Sequence, residues 1–356
     1  MKSRNLVILL VIVSFFQLHS LKTRSAMGVY NKKSIIRLHS DSNKAAIALM
    51  KKGKMKQLGE LFTEIETEGD SHFIKKFLNK KEWPFGIDKP VNFLDAVRLN
   101  RGSISIVAEY NKKAKTGFII GLPPPEILSG VLRDAGAKSV VISVDPRSGG
   151  ATFEEFKRFA VEQTKSKLLL PGPLALVYND LVVDKVQVEC AAALGASAIV
   201  LTPNIVDDLS YYVTYSKELG MDPIVFVKNQ DEAKLALDAG ANILCICNLQ
   251  ETEIVNLRKQ LPSFEERPDL IIMAKLSADV DFSTYQEIDT AWLLRDSEIT
   301  AIWPSAEAIY STGMSDVYAN ISAMRSKASR IFISPRQYLM DRKKEGATEF
   351  LGDILY

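Results

Sequence analysis

The sequence predicts an α/β fold: a closed (β/α)8 barrel, the TIM-barrel architecture, with an N-terminal helical extension and a C-terminal tail. Three observations predict it. First, three segments look alike: DAGAKSVVISVD (134–145), ALGASAIVLTPN (193–204) and DAGANILCICNL (238–249). Each has a Gly (Gly136, Gly195, Gly240) where a helix C-terminus favours a left-handed residue. Second, each then becomes a short run that is apolar throughout, as in a parallel sheet covered by helices on its outer face. Third, the Gly positions are spaced so that each gap holds two βα units, and the missing strands are present.

Taken in order, the eight expected strands are 104–108, 139–144, 175–178, 198–202, 223–227, 243–247, 270–274 and 300–303. Helices are expected at about 125–135, 152–164, 183–194, 206–219, 230–239, 249–261, 284–295 and 305–327. Eight alternating units fit a closed barrel better than an open doubly wound sheet. No G-x-G-x-x-G and no P-loop follows any strand, so the nucleotide-binding open sheet lacks its signature.

Four regions follow: a leader (1–40), a helical extension (41–92), the barrel (93–327) and a C-terminal extension (328–356). The leader holds seven basic side chains and no acidic one, and the rest of the chain has 38 basic against 43 acidic, a net −5. A body of that sign has no large electrostatic drive toward nucleic acid. In the leader, Lys2 and Arg4 precede the apolar run Leu6–Phe16, too short to span a bilayer but suited to a secretory signal. A basic, acid-free, Ser-containing stretch follows, like a transit peptide. Signal plus transit-like segment points to a plastid, with the secretory pathway or a membrane anchor as alternatives; no membrane span is expected in the mature chain. The C-terminal extension has a charged middle (Asp341–Glu345) and an apolar end (Ile354, Leu355, Tyr356), which reads either as a solvated helix or as a docking peptide for a protein partner.

Three cysteines make no disulfide framework, and the three histidines all precede residue 73, so neither a zinc site nor any other cofactor is expected. In such barrels the chemistry lies at the C-terminal ends of the strands. The residues expected there are Glu109, Asn111, Thr116 and Gly117 after strand 1, Asp145 after strand 2, and Asn179 and Asp180 after strand 3. Strand 5 adds Phe226 and Lys228, and strand 6 adds Cys247, Asn248 and Leu249. Strand 7 adds Lys275 and Ser277, and strand 8 adds Pro304 and Ser305. Asp145 and Asp180 read as loop caps rather than acid–base groups, and Cys245 and Cys247 as core and mouth lining, because no histidine in the barrel could activate a thiol.

VAEYNKKAKTG (107–117), ISVDPRSGGATFEEF (142–156), NDLVVDKVQVECAAALGASAIVLT (179–202) and LGMDPIVFVKNQDEAKLALDAGANIL (219–244), in that order, resemble the indole-3-glycerol phosphate synthase family. That family closes the indole ring of an anthranilate-derived ribulose phosphate, losing carbon dioxide and water, in tryptophan biosynthesis. The resemblance covers about residues 93–327, with FLDAVRLNRGSISIVAE leading into strand 1. It implies a catalytic role for Glu109, but the lysine two residues on is Asn111 here, and the general-acid lysine after strand 3 is Asn179. The general-base glutamate of strand 5 falls on Phe226, and the Asn and Arg of strand 6 fall on Cys247 and Leu249. The Glu-Ser-Gly of strand 7 falls on Lys275-Leu276-Ser277. Of the phosphate-side features, Thr116 and Gly117 remain, Pro304 replaces a glycine, and Ser305 could still cap the last helix.

Asn cannot deliver a mobile proton and Phe cannot accept one, and each such role is worth about 10²–10⁴-fold in rate. The expectation is therefore a pseudoenzyme-like member acting as a structural or regulatory subunit or a metabolite-binding protein, with an active synthase as the alternative. A phosphorylated small molecule held through Thr116, Gly117 and Ser305 is a further expectation. Lys275 reads as the ion-pair partner of Glu109, which a carboxylate in an apolar mouth requires, or as an amine able to form a Schiff base.

Overall fold

The computed structural model describes residues 32–98, 104–114, 117–118, 122–147, 149–276, 284–310 and 314–325. The leader up to residue 31, Thr116, Ser277 and the tail 328–356 lie outside the described residues. The chain divides into two compact units, Met1–Met50 and Lys51–Tyr356. In the first, residues 44–50 are helical and mostly exposed. The second carries the barrel.

Its strands are β1 (Ser105–Tyr110), β2 (Ser139–Ser143), β3 (Ala175–Asn179), β4 (Ala198–Leu201), β5 (Asp222–Val227), β6 (Ile243–Ile246), β7 (Ile271–Lys275) and β8 (Ala301–Trp303). All pair in parallel in sequence order, and β1 closes the ring by pairing with both β2 and β8. The predicted α/β barrel is thus observed, strand for strand. A two-stranded antiparallel ribbon follows β1 in the chain, pairing Lys113–Ala114 with Gly117–Phe118, with Gly117 opposite Ala114.

The helices are α1 (Lys32–Glu68), α2 (Phe73–Lys80) and α3 (Phe93–Val97) before the barrel. Around it run α4 (Pro125–Asp134), α5 (Phe153–Ser166), α6 (Lys185–Ala193), α7 (Leu209–Glu218), α8 (Gln230–Asp238), α9 (Glu251–Arg258) and α10 (Thr284–Asp296). After β8 the single helix expected at 305–327 is two, α11 (Ala306–Tyr310) and α12 (Met314–Arg325). Local chemistry explains the boundaries. Thr152 with Glu155 and Asp184 with Gln187 form capping boxes at the starts of α5 and α6. Gly136, Gly195 and Gly240 take positive φ of 83–89° at the helix ends, as their positions required.

Two cores result. One lies between strands and helices and holds Phe156, Phe159, Leu128 and Ile142 among many others. The second fills the barrel, with Val107, Val141, Val177, Val200, Ile224, Cys245, Met273 and Trp303 at alternate strand positions. Helix α3 plugs the barrel floor: Phe93 and Val97 are buried among these residues, and the backbone N–H of Leu94 donates to Asp222 at 3.0 Å. The α1 residues from Lys51 on belong to the barrel unit, where Leu58 and Leu61 are buried. Trp83 ties the end of this extension to α6 by donating to the Ala192 carbonyl at 3.0 Å. Among the described residues, no helix is long and apolar enough to cross a membrane.

Candidate functional site at the barrel mouth

Period-two alternation decides what reaches the mouth. Inward positions one step above the apolar filling are Glu109 on β1, Ser143 on β2, Asn179 on β3, Phe226 on β5 and Lys275 on β7. They surround a cavity of about 250 Å³, together with Asn111, Asp145, Asp180 and Thr202.

Glu109 is the centre of this arrangement. Its residue is 5% exposed and its carboxylate accepts four hydrogen bonds. One oxygen accepts from Asn111 Nδ2 at 3.0 Å and from Ser143 Oγ at 2.7 Å. The other accepts from Trp303 Nε1 at 2.8 Å and from Lys275 Nζ at 3.3 Å. Burial pushes the carboxyl's pKa up, but the Lys275 charge and the donors Ser143, Trp303 and Asn111 outweigh it and hold the carboxyl below its ordinary value. Glu109 is therefore a fixed anion. The ammonium of Lys275 also lies 3.6 Å from the centroid of the Trp303 ring, a cation–π contact. The expected Glu109–Lys275 pair is formed, and the Trp303 ring and the Glu109 carboxylate both contact Lys275 Nζ.

Second-rank contacts stiffen this core. Asn179 Nδ2 donates to Ser143 Oγ at 2.9 Å, so β3 holds the hydroxyl that holds Glu109. Asn111 Oδ1 accepts from the Lys113 backbone at 2.7 Å, fixing the amide's other end. The other two mouth carboxylates are paired as well. Asp145 caps the Arg147 backbone N–H at 3.0 Å and lies 3.4 Å from its guanidinium. Asp180 accepts from the Leu181 backbone at 2.8 Å and forms an ion pair with Lys54 of α1, with side chains 3% and 4% exposed. Both behave as the loop caps expected, and both carry a cation besides. Burial raises the pKa of Asp180 despite Lys54.

Sequence reasoning placed Glu109, Asn111, Asn179, Phe226 and Lys275 correctly around one cavity. It passed over Ser143 and Trp303, which hold Glu109, and Lys54. The inward alternation of VVIS and AIW was the available signal for the first two. Nothing local marks Lys54, which arrives from 126 residues away. Two expectations are corrected. Cys247 is buried and does not line the cavity; burial pushes its thiol up to about 11. Ser305 does not offer its donors to the cavity: its backbone N–H donates to Glu287 Oε2 at 2.9 Å and its hydroxyl to Glu287 Oε1, while the hydroxyl also caps α11 by accepting from Ala308 N at 3.1 Å. Among the described residues no group of His, Cys, Asp or Glu is arranged to hold a metal ion.

The sequence model of indole-3-glycerol phosphate synthase matches residues 75–274, more than half of the chain. The chain belongs to that family. Its similarity to the indole-3-glycerol phosphate synthase of Leptospira interrogans is 29% identity over 219 residues, 55% of this chain and 83% of that protein. The synthase of a Roseiflexus species is 30% identical over 45% of this chain and 59% of its own length. That of Aquifex aeolicus is 32% identical over 43% and 58%. Within the indole-3-glycerol phosphate synthase family, then, this chain has a barrel mouth lined by Glu109, Asn111, Asn179, Phe226 and Lys275.

Proposed function

We propose that this chain is a non-catalytic member of the indole-3-glycerol phosphate synthase family whose barrel mouth binds a metabolite, in a structural or regulatory role. One observation carries the reading. The three positions where the resemblance places a lysine, the general-acid lysine and the general-base glutamate are Asn111, Asn179 and Phe226, and all three face the cavity around Glu109. None can move a proton, and two lost proton transfers at about 10²–10⁴-fold each remove most of an enzyme's advantage. Glu109 does not replace the missing general acid, because its four donors hold it as the anion, which has no proton to give. The test is genetic: a well-expressed chain without residues 1–40 is expected to leave a tryptophan auxotroph lacking the synthase unrescued, and rescue would overturn the reading.

The competing reading is an active synthase, which the family match and the names of the relatives favour. A third is Schiff-base chemistry at Lys275, whose Nζ lies beside Glu109 and the Trp303 ring. It predicts a borohydride-trapped adduct on Lys275 across a panel of carbonyl compounds. The leader supports a plastid address, tested by whether residues 1–40 carry a fluorescent protein there. The apolar end of 328–356 supports a protein partner, tested by comparing pull-downs with the full and the tail-less chain.

A further inference from the structure

The mouth cavity has a composition that selects a ligand. At about 250 Å³ it exceeds the roughly 150 Å³ cavity that takes up benzene, so one ring-sized body with a small polar group fits. Its carboxylates are already matched: Asp180 by Lys54 and Asp145 by Arg147. Lys275 is matched only in part. Glu109 already accepts from three neutral donors at 2.7–3.0 Å. Its contact to Lys275 is 3.3 Å, beyond the usual range for charge-assisted bonds. The Trp303 ring covers one side of the ammonium, and the side chain keeps 23% exposure where it lines the cavity. Lys275 therefore has N–H donors to give to a second anion without abandoning Glu109.

Acceptors and donors for the rest of a ligand are also present. Asn179 spends its Nδ2 on Ser143, and its Oδ1 has no partner among the described residues. Thr202 lines the same space, and Phe226 offers an aromatic wall backed by Trp303 at 5.8 Å between centroids.

A phosphate is disfavoured. In barrels of this class phosphate commonly binds near the loops after strands 7 and 8 and a short extra helix. Here the chain's own Glu287 carboxylate takes the Ser305 backbone N–H and hydroxyl at that place. A phosphate arriving there would meet a buried carboxylate and a backbone donor already used.

We propose that the barrel mouth is a binding site for a small, phosphate-free monocarboxylate, its carboxylate anchored by Lys275, its polar substituents by Asn179 and Thr202, and its flat or apolar part by Phe226. This rests on the reading of the mouth as a binding site and names its ligand class.

Benzoate is the probe, read by NMR on the full chain with nitrogen-15 in its three tryptophans, Trp303 being assigned by Trp303→Phe. Benzoate at millimolar concentration is expected to shift the Trp303 indole signal saturably. Benzamide, which lacks the charge, and phenyl phosphate are each expected to bind about tenfold more weakly, the worth of one charged hydrogen bond. Lys275→Met should lose benzoate binding by about the same factor, and Asn179→Ala should weaken a 2-hydroxybenzoate more than benzoate. Lys217→Met, at an exposed lysine of α7 that donates to the Gly240 carbonyl, should change nothing. If Lys275→Met does not fold, Asn179→Ala and the benzamide comparison still decide. No saturable shift, benzamide binding equal to benzoate, or tighter binding of phenyl phosphate would overturn the proposal. Turnover of the family's substrate is a separate result: it would remove the non-catalytic reading and leave the benzoate outcome standing.

Discussion

Lys275 Nζ stands 3.3 Å from Glu109 Oε2 across the barrel mouth, and the same ammonium rests on the Trp303 ring whose Nε1 donates to the same carboxylate oxygen. Three side chains from β1, β7 and β8 thus close a triangle of charge, ring and hydrogen bond. Removing the cation leaves a buried carboxylate with neutral donors only. Lys275→Met is expected to cost near the lower end of about 3–5 kcal/mol, because Lys275 is partly exposed. Urea unfolding of variant and parent measures it.

The same pair sets an acid limit. Glu109's folded pKa lies below its unfolded value, so its contribution is complete above the unfolded carboxyl range and is lost as pH falls through the folded value. Lys275→Met removes the charge that lowers it. The acid-unfolding midpoint should then move to higher pH, as followed by circular dichroism. Asp180 has the opposite sign: its folded pKa is raised, so its contribution favours folding in acid and is lost as pH rises through that value.

Lys54 and Lys51 lie one turn apart on α1 and should behave differently. Lys54 is buried against buried Asp180, while the partner of Lys51, Asp207, is 85% exposed. Lys54→Met should cost about 3–5 kcal/mol and Lys51→Met less than about 1 kcal/mol. The double variant Lys54→Met with Asp180→Asn should recover part of the loss, since no buried charge is left alone. A double-mutant cycle on thermal or urea midpoints checks this.

Gly149 protects the Ser143 arm of the network. A Cβ there would lie 2.0 Å from the Ser143 carbonyl oxygen and 2.3 Å from its Cβ, so backbone must move. Gly149→Ala is expected to cost about 1–3 kcal/mol as overpacking and to shift the Trp303 indole signal, because Ser143 and Trp303 share Glu109. An unshifted indole signal would separate Gly149 from the site.

The fold was legible because its signals are local and repeated. Apolar runs, capping residues and helix-ending glycines located all eight strands, and boundaries moved by only a residue or two. The last helix was misjudged because its apolar spacing continues from α11 into α12. In the site, Glu109, Asn111, Asn179, Phe226 and Lys275 could be placed by strand position alone. Ser143 and Trp303 looked like strand filling, although each occupies an inward position at a strand end. Lys54 and Glu287 were not legible at all. Each meets its partner through the folded barrel, Lys54 from the extension and Glu287 from α10, and short-range pattern carries no record of such meetings. Ser305 was read as a donor to a ligand for the same reason: its partner inside the chain could not be seen.

The most direct test of the central claim is a turnover assay. The purified chain lacking residues 1–40 is mixed with the anthranilate-derived ribulose phosphate, and formation of indoleglycerol phosphate is followed. A mouth with Asn111, Asn179 and Phe226 around a fixed Glu109 predicts no turnover above the uncatalysed rate. Turnover at ordinary enzyme rates, about 1–10³ per second, would contradict it.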